Sequence, residues 1–319
     1  MTLRVEGNLP SVGFLFYSLL RQSMKNIGGQ AVIEGVMMKA AKAWTVAVRD
    51  QRGEIHVKKE GLLELPSPLK RPILRGIAAL IQALSLGIKA LSYSAEKAVG
   101  AEEKSFSPFT MAMTITVSVA LGIVLFLLLP LYLTRLLGIV FSSVQGSSFV
   151  FNLVDGLIRI VFFLIYVASI SFMKDIRRVF EYHGAEHKVI YTYEAGEALT
   201  VENARRHSTL HPRCGTSFLL VVMVVSILIF SFIPKEWSLG LKFISRIVLI
   251  PLIAGLSYEF IRFSAKRVKD SSALSRVFFG VLIRPGLCLQ RITTRQPDDA
   301  QIEVAIRALN EVLSMDRDA

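Results

Sequence analysis

The sequence predicts an α-helical membrane protein with about four transmembrane helices, a small cytoplasmic β-hairpin subdomain and amphipathic helices. Three observations predict it. The 319 residues are 52% hydrophobic and only 19% charged, with a mean hydropathy of +0.50, which is too apolar for a soluble two-domain chain. Apolar runs at 109–133, 152–173, 215–233 and 243–261 approach the roughly 20 residues needed to cross a hydrocarbon core of about 30 Å. The connections alternate in Lys and Arg content: fifteen before Ser105, one in 134–151, seven in 174–214, two in 234–242 and ten from Arg262 onward. Cytoplasmic loops collect such residues, so both termini and the 174–214 loop are expected on the cytoplasmic side of the membrane.

The net charge of +12 is accounted for by these loops, and no nucleic-acid partner is expected. The expected partners are the lipid bilayer, anionic headgroups beside Arg177, Arg178, Lys266, Arg267 and Lys269, and a protein recruited by the cytoplasmic regions. Two cysteines, Cys214 and Cys288, make no disulfide scaffold. No signal peptide is expected.

In chain order, 1–25 is an amphipathic segment whose apolar run Ser11–Met24 is too short to cross. Residues 26–66 form a β subdomain. Trp44–Val48 and Glu54–Val57 are strand-like and flank the turn Asp50-Gln51-Arg52-Gly53, and Ala31–Met38 joins them. In 72–99, Ile73, Ile77, Leu80, Leu84, Ile88 and Leu91 recur at helical spacing while Arg75, Gln82 and Lys89 interrupt them. This reads as an interfacial amphipathic helix, with a fifth span as the alternative. Residues 105–265 hold four spans and the histidine-rich loop 174–214, and 266–319 is a cytoplasmic C-terminal segment. There Pro297-Asp298-Asp299 opens a helix carrying Ile302, Ala305, Leu309 and Val312 on one face. Arg159 and Arg246, inside the second and fourth spans, either pair with a neighbour such as Asp155 or line a polar path.

Four of the five histidines, His183, His187, His207 and His211, fall within twenty-nine residues of that loop. In Glu181-Tyr182-His183-Gly184-Ala185-Glu186-His187-Lys188 a helix puts His183 and His187 one turn apart on one face, able to share a metal ion. Glu186 lies nearly on that face as a candidate catalytic base, the arrangement behind H-x-x-E-H metallopeptidases. The motif alone specifies only three residues. His207-Ser208-Thr209-Leu210-His211-Pro212-Arg213-Cys214 adds nitrogen and sulfur donors on the same side of the membrane, a mixture that suits Zn2+. The candidate metal ligands are therefore His183, His187, His211 and Cys214. If all four bind, the site is closed and structural; if one stands aside, a position is open for chemistry. Bis-histidine haem is not expected, since these histidines lie in a charged loop. Gly28-Gly29-Gln30-Ala31-Val32-Ile33-Glu34-Gly35 lacks the spacing of a nucleotide-binding loop and reads as tight backbone packing.

Taken together, 28–37, Leu74-Arg75-Gly76, 181–188, Leu199–Asn203, His211–Phe218 and Pro297–Ala305 resemble the YqhQ-like bacterial membrane proteins, over about 26–309. That family carries a domain of unknown function and is described as predicted metal-dependent enzymes. The resemblance implies a bacterial origin, a multi-pass membrane location and a single site made of His183, Glu186, His187, His211 and Cys214. The expected activity is that of a zinc hydrolase acting on a lipid or membrane-associated peptide. The alternatives are a non-enzymatic scaffold with a structural metal or hydrogen-bonded histidines, and a transporter using Arg159, Arg246 and Glu259.

Overall fold

The computed structural model describes residues 27–62, 66–99, 107–212, 214–267 and 284–318. The amphipathic segment expected at 1–25 lies outside them, as do Arg213 and Lys269. The chain divides into two compact units. A sheet unit comprises Met1–Glu64, Arg178–Ser217 and Arg262–Ala319; a span unit comprises Leu65–Arg177 and Phe218–Ile261.

The sheet unit is built on an antiparallel meander in the order β1 (Gly28–Val32), β2 (Gly35–Lys39), β3 (Ala43–Arg49) and β4 (Ile55–Gly61). The β3–β4 hairpin forms where alternation and a turn signal predicted it, with Arg49 opposite Ile55 and Gly53 at φ +88°. Asp50 closes that turn by accepting the backbone N–H groups of Arg52 and Glu54 at 2.9 Å each. The β1–β2 turn is tighter, Val32 pairing with Gly35. There Glu34 takes φ +50°, and its carboxylate receives the Arg178 guanidinium and the Tyr182 hydroxyl.

Across β2 and β3 lies the C-terminal helix Asp299–Asp318, whose Ile302, Ala305, Leu309 and Val312 are buried with Val36, Met38 and Ala47. The Thr45 hydroxyl donates to the Ala308 carbonyl at 2.8 Å, fixing helix to sheet. The helix Lys174–Ala195 contributes Tyr182, Ala185 and Val189 to the same core.

The span unit is helical. Leu74–Val99 is α1. The second helix, α2, runs from Pro108–Ile123 through a π-helical turn, Val124–Leu128, into Leu129–Val140. That turn lies just ahead of Pro130, which brings no N–H to the ladder and whose ring crowds the preceding turn. Next come α3 (Ser148–Ile170), α4 (the Lys174–Ala195 helix), α5 (Gly215–Phe230) and α6 (Leu239–Arg267). The helix at 284–293 is α7 and the C-terminal helix is α8. Small residues let helices approach. A Cβ on Gly156 would come within 2.2 Å of Ile227, and one on Gly76 within 2.9 Å of the Gly255 backbone. Beside that contact Arg75 grips Glu259 through a two-pronged pair, Nε to Oε1 at 2.6 Å.

Leu74–Ala98, Ala112–Val140, Ser148–Ile170 and Leu239–Phe263 are long and apolar enough to cross a membrane, and Phe218–Phe230 is a shorter apolar helix. By length and composition α1 suits both the expected interfacial helix and the alternative fifth span, and the run expected to 233 leaves its helix at Ser231, three residues before Pro234. Many apolar side chains on these helices point outward, among them Val117, Leu121, Ile139 and Val248, each more than half exposed. An exterior of that kind suits a lipid bilayer and is unsuited to water.

Candidate metal centre in the sheet unit

The site is assembled on α4. Its 3.6-residue turn stacks His183 over His187, their ring centroids 4.4 Å apart. Both imidazoles are oriented by backbone carbonyls, which can only accept. His183 Nδ1–H donates to Thr293 O at 2.8 Å and His187 Nδ1–H to Thr209 O at 2.5 Å. Each ring therefore presents its Nε2 lone pair inward. His183 Nε2 lies 3.2 Å from Cys214 Sγ, while His187 Nε2 is buried with no hydrogen-bond partner among the described residues. The donor atoms of His183, His187 and Cys214 lie within 4.8 Å of one another, close enough for metal bonds of about 2.0–2.3 Å to a common cation.

His211 is near but stands outside that compact set. Its ring centroid is 5.6 Å from that of His187, and its Nε2 faces Glu194 Oε2 at 3.5 Å. His207 is turned elsewhere, stacked on Tyr191 with Nε2 at 3.2 Å from Glu197. Glu186 is fully buried, accepts the Gly29 backbone N–H, and lies near enough to His183 and Cys214 for both to influence its charge. A Cβ on Gly29 would sit 2.8 Å from the Glu186 carboxyl, so the glycine opens the space that the acid fills. The Gly28–Gly35 stretch is thus the tight packing the sequence suggested.

Removal from water dominates the electrostatics of His187, His211, Cys214 and Glu186. Burial, with His183 and His211 nearby, holds His187 well below the ordinary imidazole range. Burial and His183 lower His211 to about 4. Burial pushes the Cys214 thiol up, against the hydrogen bonds that Thr216 donates to Sγ from its hydroxyl at 3.3 Å and its N–H at 3.5 Å. Burial raises Glu186 to about 8, with His183 opposing and Cys214 reinforcing the shift. Neutral imidazoles are the form that binds metals, and donors aimed at a sulfur favour its thiolate.

Several residues that hold this geometry were not among the predicted site residues. Gln290 on α7 is fully buried and clamps the His211 backbone, its Oε1 accepting His211 N–H at 2.7 Å and its Nε2 donating to His211 O at 2.8 Å. The Lys188 ammonium donates to the Arg205 and His207 carbonyls at 3.0 and 2.6 Å, and Tyr191 to Leu210 O at 3.0 Å. A Cβ on Gly184 would fall 2.0 Å from the Arg295 carbonyl, so the chain carrying Thr293 runs against α4 only because Gly184 has none. Lys188 and Gly184 stand inside the histidine motif itself. Gln290 carries no sequence signal that would have found it. A second grouping, Asp50, Glu54 and His56, sits on the β3–β4 turn, where Asp50 is already committed to the turn and to His56 Nε2 at 2.8 Å.

An apolar helical unit joined to a sheet unit that carries a His–His–Cys cluster, with His187 buried and the other two half-buried, defines the class: an integral-membrane protein with a candidate metal centre. Residues 71–315 match the family described as "Protein of unknown function (DUF1385)", and the chain belongs to that family. It is 36% identical over 305 residues to the uncharacterised protein YqhQ of Bacillus subtilis (strain 168), covering 91% of this chain and 92% of that protein. No solved structure matches it.

Proposed function

We propose that this chain is a multi-pass protein of the bacterial cytoplasmic membrane whose cytoplasmic sheet unit holds a zinc-type cation and uses it for hydrolysis of a lipid or a membrane-associated peptide. The carrying observation is the buried, unpartnered Nε2 of His187. An imidazole nitrogen stripped of water costs free energy unless something accepts its lone pair, and a cation 2 Å or so away, shared with His183 and Cys214, would do so. The Thr293 and Thr209 carbonyls supply the outer hydrogen bonds that orient metal-bound histidines. A cation there would act as a Lewis acid on a carbonyl or phosphoryl oxygen and acidify a water molecule. Glu186, raised to about 8, is tuned to exchange a proton near neutral pH, which a general base requires.

The sidedness has its own support. Strands 28–61, residues 178–217 and the C-terminal helix belong to one compact unit, so they share one side of the membrane. The chain between 61 and 178 must then cross an even number of times. Three helices there are long and apolar enough to span, Leu74–Ala98, Ala112–Val140 and Ser148–Ile170, so an even count has two of them crossing. Leu74–Ala98 is the one that stays in the interface. Its Ile81, Leu84, Ile88 and Leu91 form an exposed stripe, while Gly76, Ala78, Leu86 and Ala90 face protein. The Lys and Arg count puts the shared side in the cytoplasm.

A second reading rests on His211. With its ring 5.6 Å from His187, a side-chain rotation would bring a fourth ligand and close the tetrahedron into a structural site that ties the loop to α4. Metal analysis of the purified full-length protein tests both readings. About one equivalent of zinc or a similar ion is expected in the wild type and none in His187→Ala, and less than about a tenth of an equivalent in both discards the metal. Glu186→Gln should keep the ion and abolish function if the site is catalytic, and keep both if it is structural.

A further inference from the structure

The span unit buries a second polar cluster, unrelated to the histidines. Asp155 on α3 is 1% exposed and is shared by two arginines: Arg246 Nη1 reaches its Oδ1 at 3.2 Å, and Arg159 Nη2 its Oδ2 at 3.0 Å. Arg246 is fully buried, and Asn152 accepts its other Nη at 3.2 Å. Both guanidiniums stand over the Phe230 ring, with Cζ at 5.2 and 5.3 Å from its centroid, and the Nε of each is buried without an acceptor among the described residues. One carboxylate cannot neutralise two guanidiniums, which stay charged in any protein environment.

Next to this cluster is a cavity of about 400 Å³ lined by Arg135, Phe151, Lys235, Glu236, Trp237 and Lys242, among others. Two helical faces connect it to the arginines. Phe151, Asp155 and Arg159 succeed one another at four-residue intervals on α3, as do Lys242 and Arg246 on α6. Lys242 is 4% exposed, its ammonium sits 4.0 Å from the centre of the Phe151 ring, and it makes no salt bridge among the described residues. Arg135, Lys235 and Lys242 face one acid in the cavity, Glu236, and Arg159 and Arg246 face one in the cluster, Asp155. The whole therefore carries three positive charges in excess. Arg135 and Lys235 lie toward the exposed rim, but Lys242 and Arg246 are buried and the Arg159 side chain is only 12% exposed. Asp155 is the one buried acid among them, and positive charge left over in burial marks a site whose missing component is negative.

We infer that this cavity binds a phosphate-bearing anion, with Lys242 and Arg135 as its primary contacts and the Asp155–Arg159–Arg246 cluster holding the positive potential behind them. The volume lies in the range of small-molecule sites, and mixed Lys and Arg donors suit phosphate oxygens better than a single carboxylate. The 134–151 and 234–242 connections frame the cavity, and by the charge count they are the extracytoplasmic ones. A free phosphate could arrive from that side, or a phospholipid headgroup from the adjacent leaflet. Neither depends on a metal in the sheet unit.

The test uses the full-length protein and two probes. Inorganic phosphate is titrated calorimetrically into the detergent-solubilised protein. In parallel, the protein is exchanged into vesicles containing phosphatidylglycerol or phosphatidylcholine, re-extracted, and weighed by native mass spectrometry. Saturable phosphate binding that weakens at least about tenfold in Lys242→Gln supports a free-anion site, tenfold being the smallest change that a lost charged contact should give. Retention of phosphatidylglycerol over phosphatidylcholine, lost in Lys242→Gln, supports a headgroup site. Arg135→Gln, at an exposed position, gives the same readout if Lys242→Gln fails to fold. Binding of neither probe, or binding that both variants leave unchanged, overturns the proposal.

Discussion

The two buried polar clusters solve the same problem in opposite ways. In the sheet unit, His183 and His187 donate their Nδ1 protons to backbone carbonyls, and burial keeps His187 neutral, so what remains is a set of lone pairs. In the span unit, Arg159 and Arg246 cannot shed their charge, so what remains is positive potential around Asp155. Equal burial thus yields an electron-pair donor set in one unit and an anion trap in the other. The difference lies in whether a side chain can become neutral when water is removed. His211 and Lys242 occupy comparable places, each next to a cluster without being its centre, and each is where a ligand would complete the arrangement.

Asp155→Asn breaks this comparison most severely. It leaves two buried guanidiniums with no counter-charge, and removing one partner of a buried ionic group costs about 3–5 kcal/mol. Denaturant unfolding in detergent should show a loss of that order. The double variant Asp155→Asn/Arg159→Met should recover part of it, because one uncompensated charge goes with the acid. If Asp155→Asn is as stable as the wild type, the span-unit cluster is not under electrostatic load, and the contrast with the histidines disappears.

Gln290→Ala probes the other side with a smaller effect. It strands the N–H and the carbonyl of His211, both buried, and each unsatisfied group costs about 1–3 kcal/mol. Thermal unfolding should shift accordingly. Gln290→Glu, which keeps the acceptor and loses the donor, should fall between the two. An unchanged melting temperature in Gln290→Ala would mean that the His211 backbone is held by the loop alone.

Gln290 also marks how far the sequence could be read. The apolar composition was enough for the membrane helices, and alternation with an Asp-x-x-Gly turn was enough for the β3–β4 hairpin. The four-residue spacing alone puts His183 and His187 on one helical face. What could not be read were partners distant in the chain and anonymous in chemistry. Thr293 and Thr209 act through carbonyls, which every residue has, and Gln290 lies 79 positions from the backbone it clamps. Separating His211 from the compact donor set likewise depended on Glu194 and on the packing of a loop. The placement of α1 was ambiguous for a different reason. Its periodicity fixed a helix, but hydropathy alone suits a span and an in-plane helix equally. In the proposed reading, the compact unit shared by residues on either side is what favours the in-plane helix.

The smallest effect is expected where charges meet most closely. Arg205 and Asp299 form a two-pronged contact within the sheet unit, yet their side chains are 59% and 52% exposed. Water and salt already solvate such a pair, and holding two long side chains costs entropy, so Arg205→Ala should change stability by no more than about 1 kcal/mol. The same residue supplies the contrast. The Arg205 carbonyl accepts the buried Lys188 ammonium, a neutral acceptor with a single charge facing it, and that contact pins the loop leading to His211. Unfolding measured at low and at high salt separates the two. The Arg205→Ala increment should shrink further with salt, whereas Lys188→Met should cost more than Arg205→Ala at both salt concentrations, because no ion reaches the buried ammonium. A larger loss from Arg205→Ala than from Lys188→Met would show that proximity of charges, rather than their removal from water, holds this unit together.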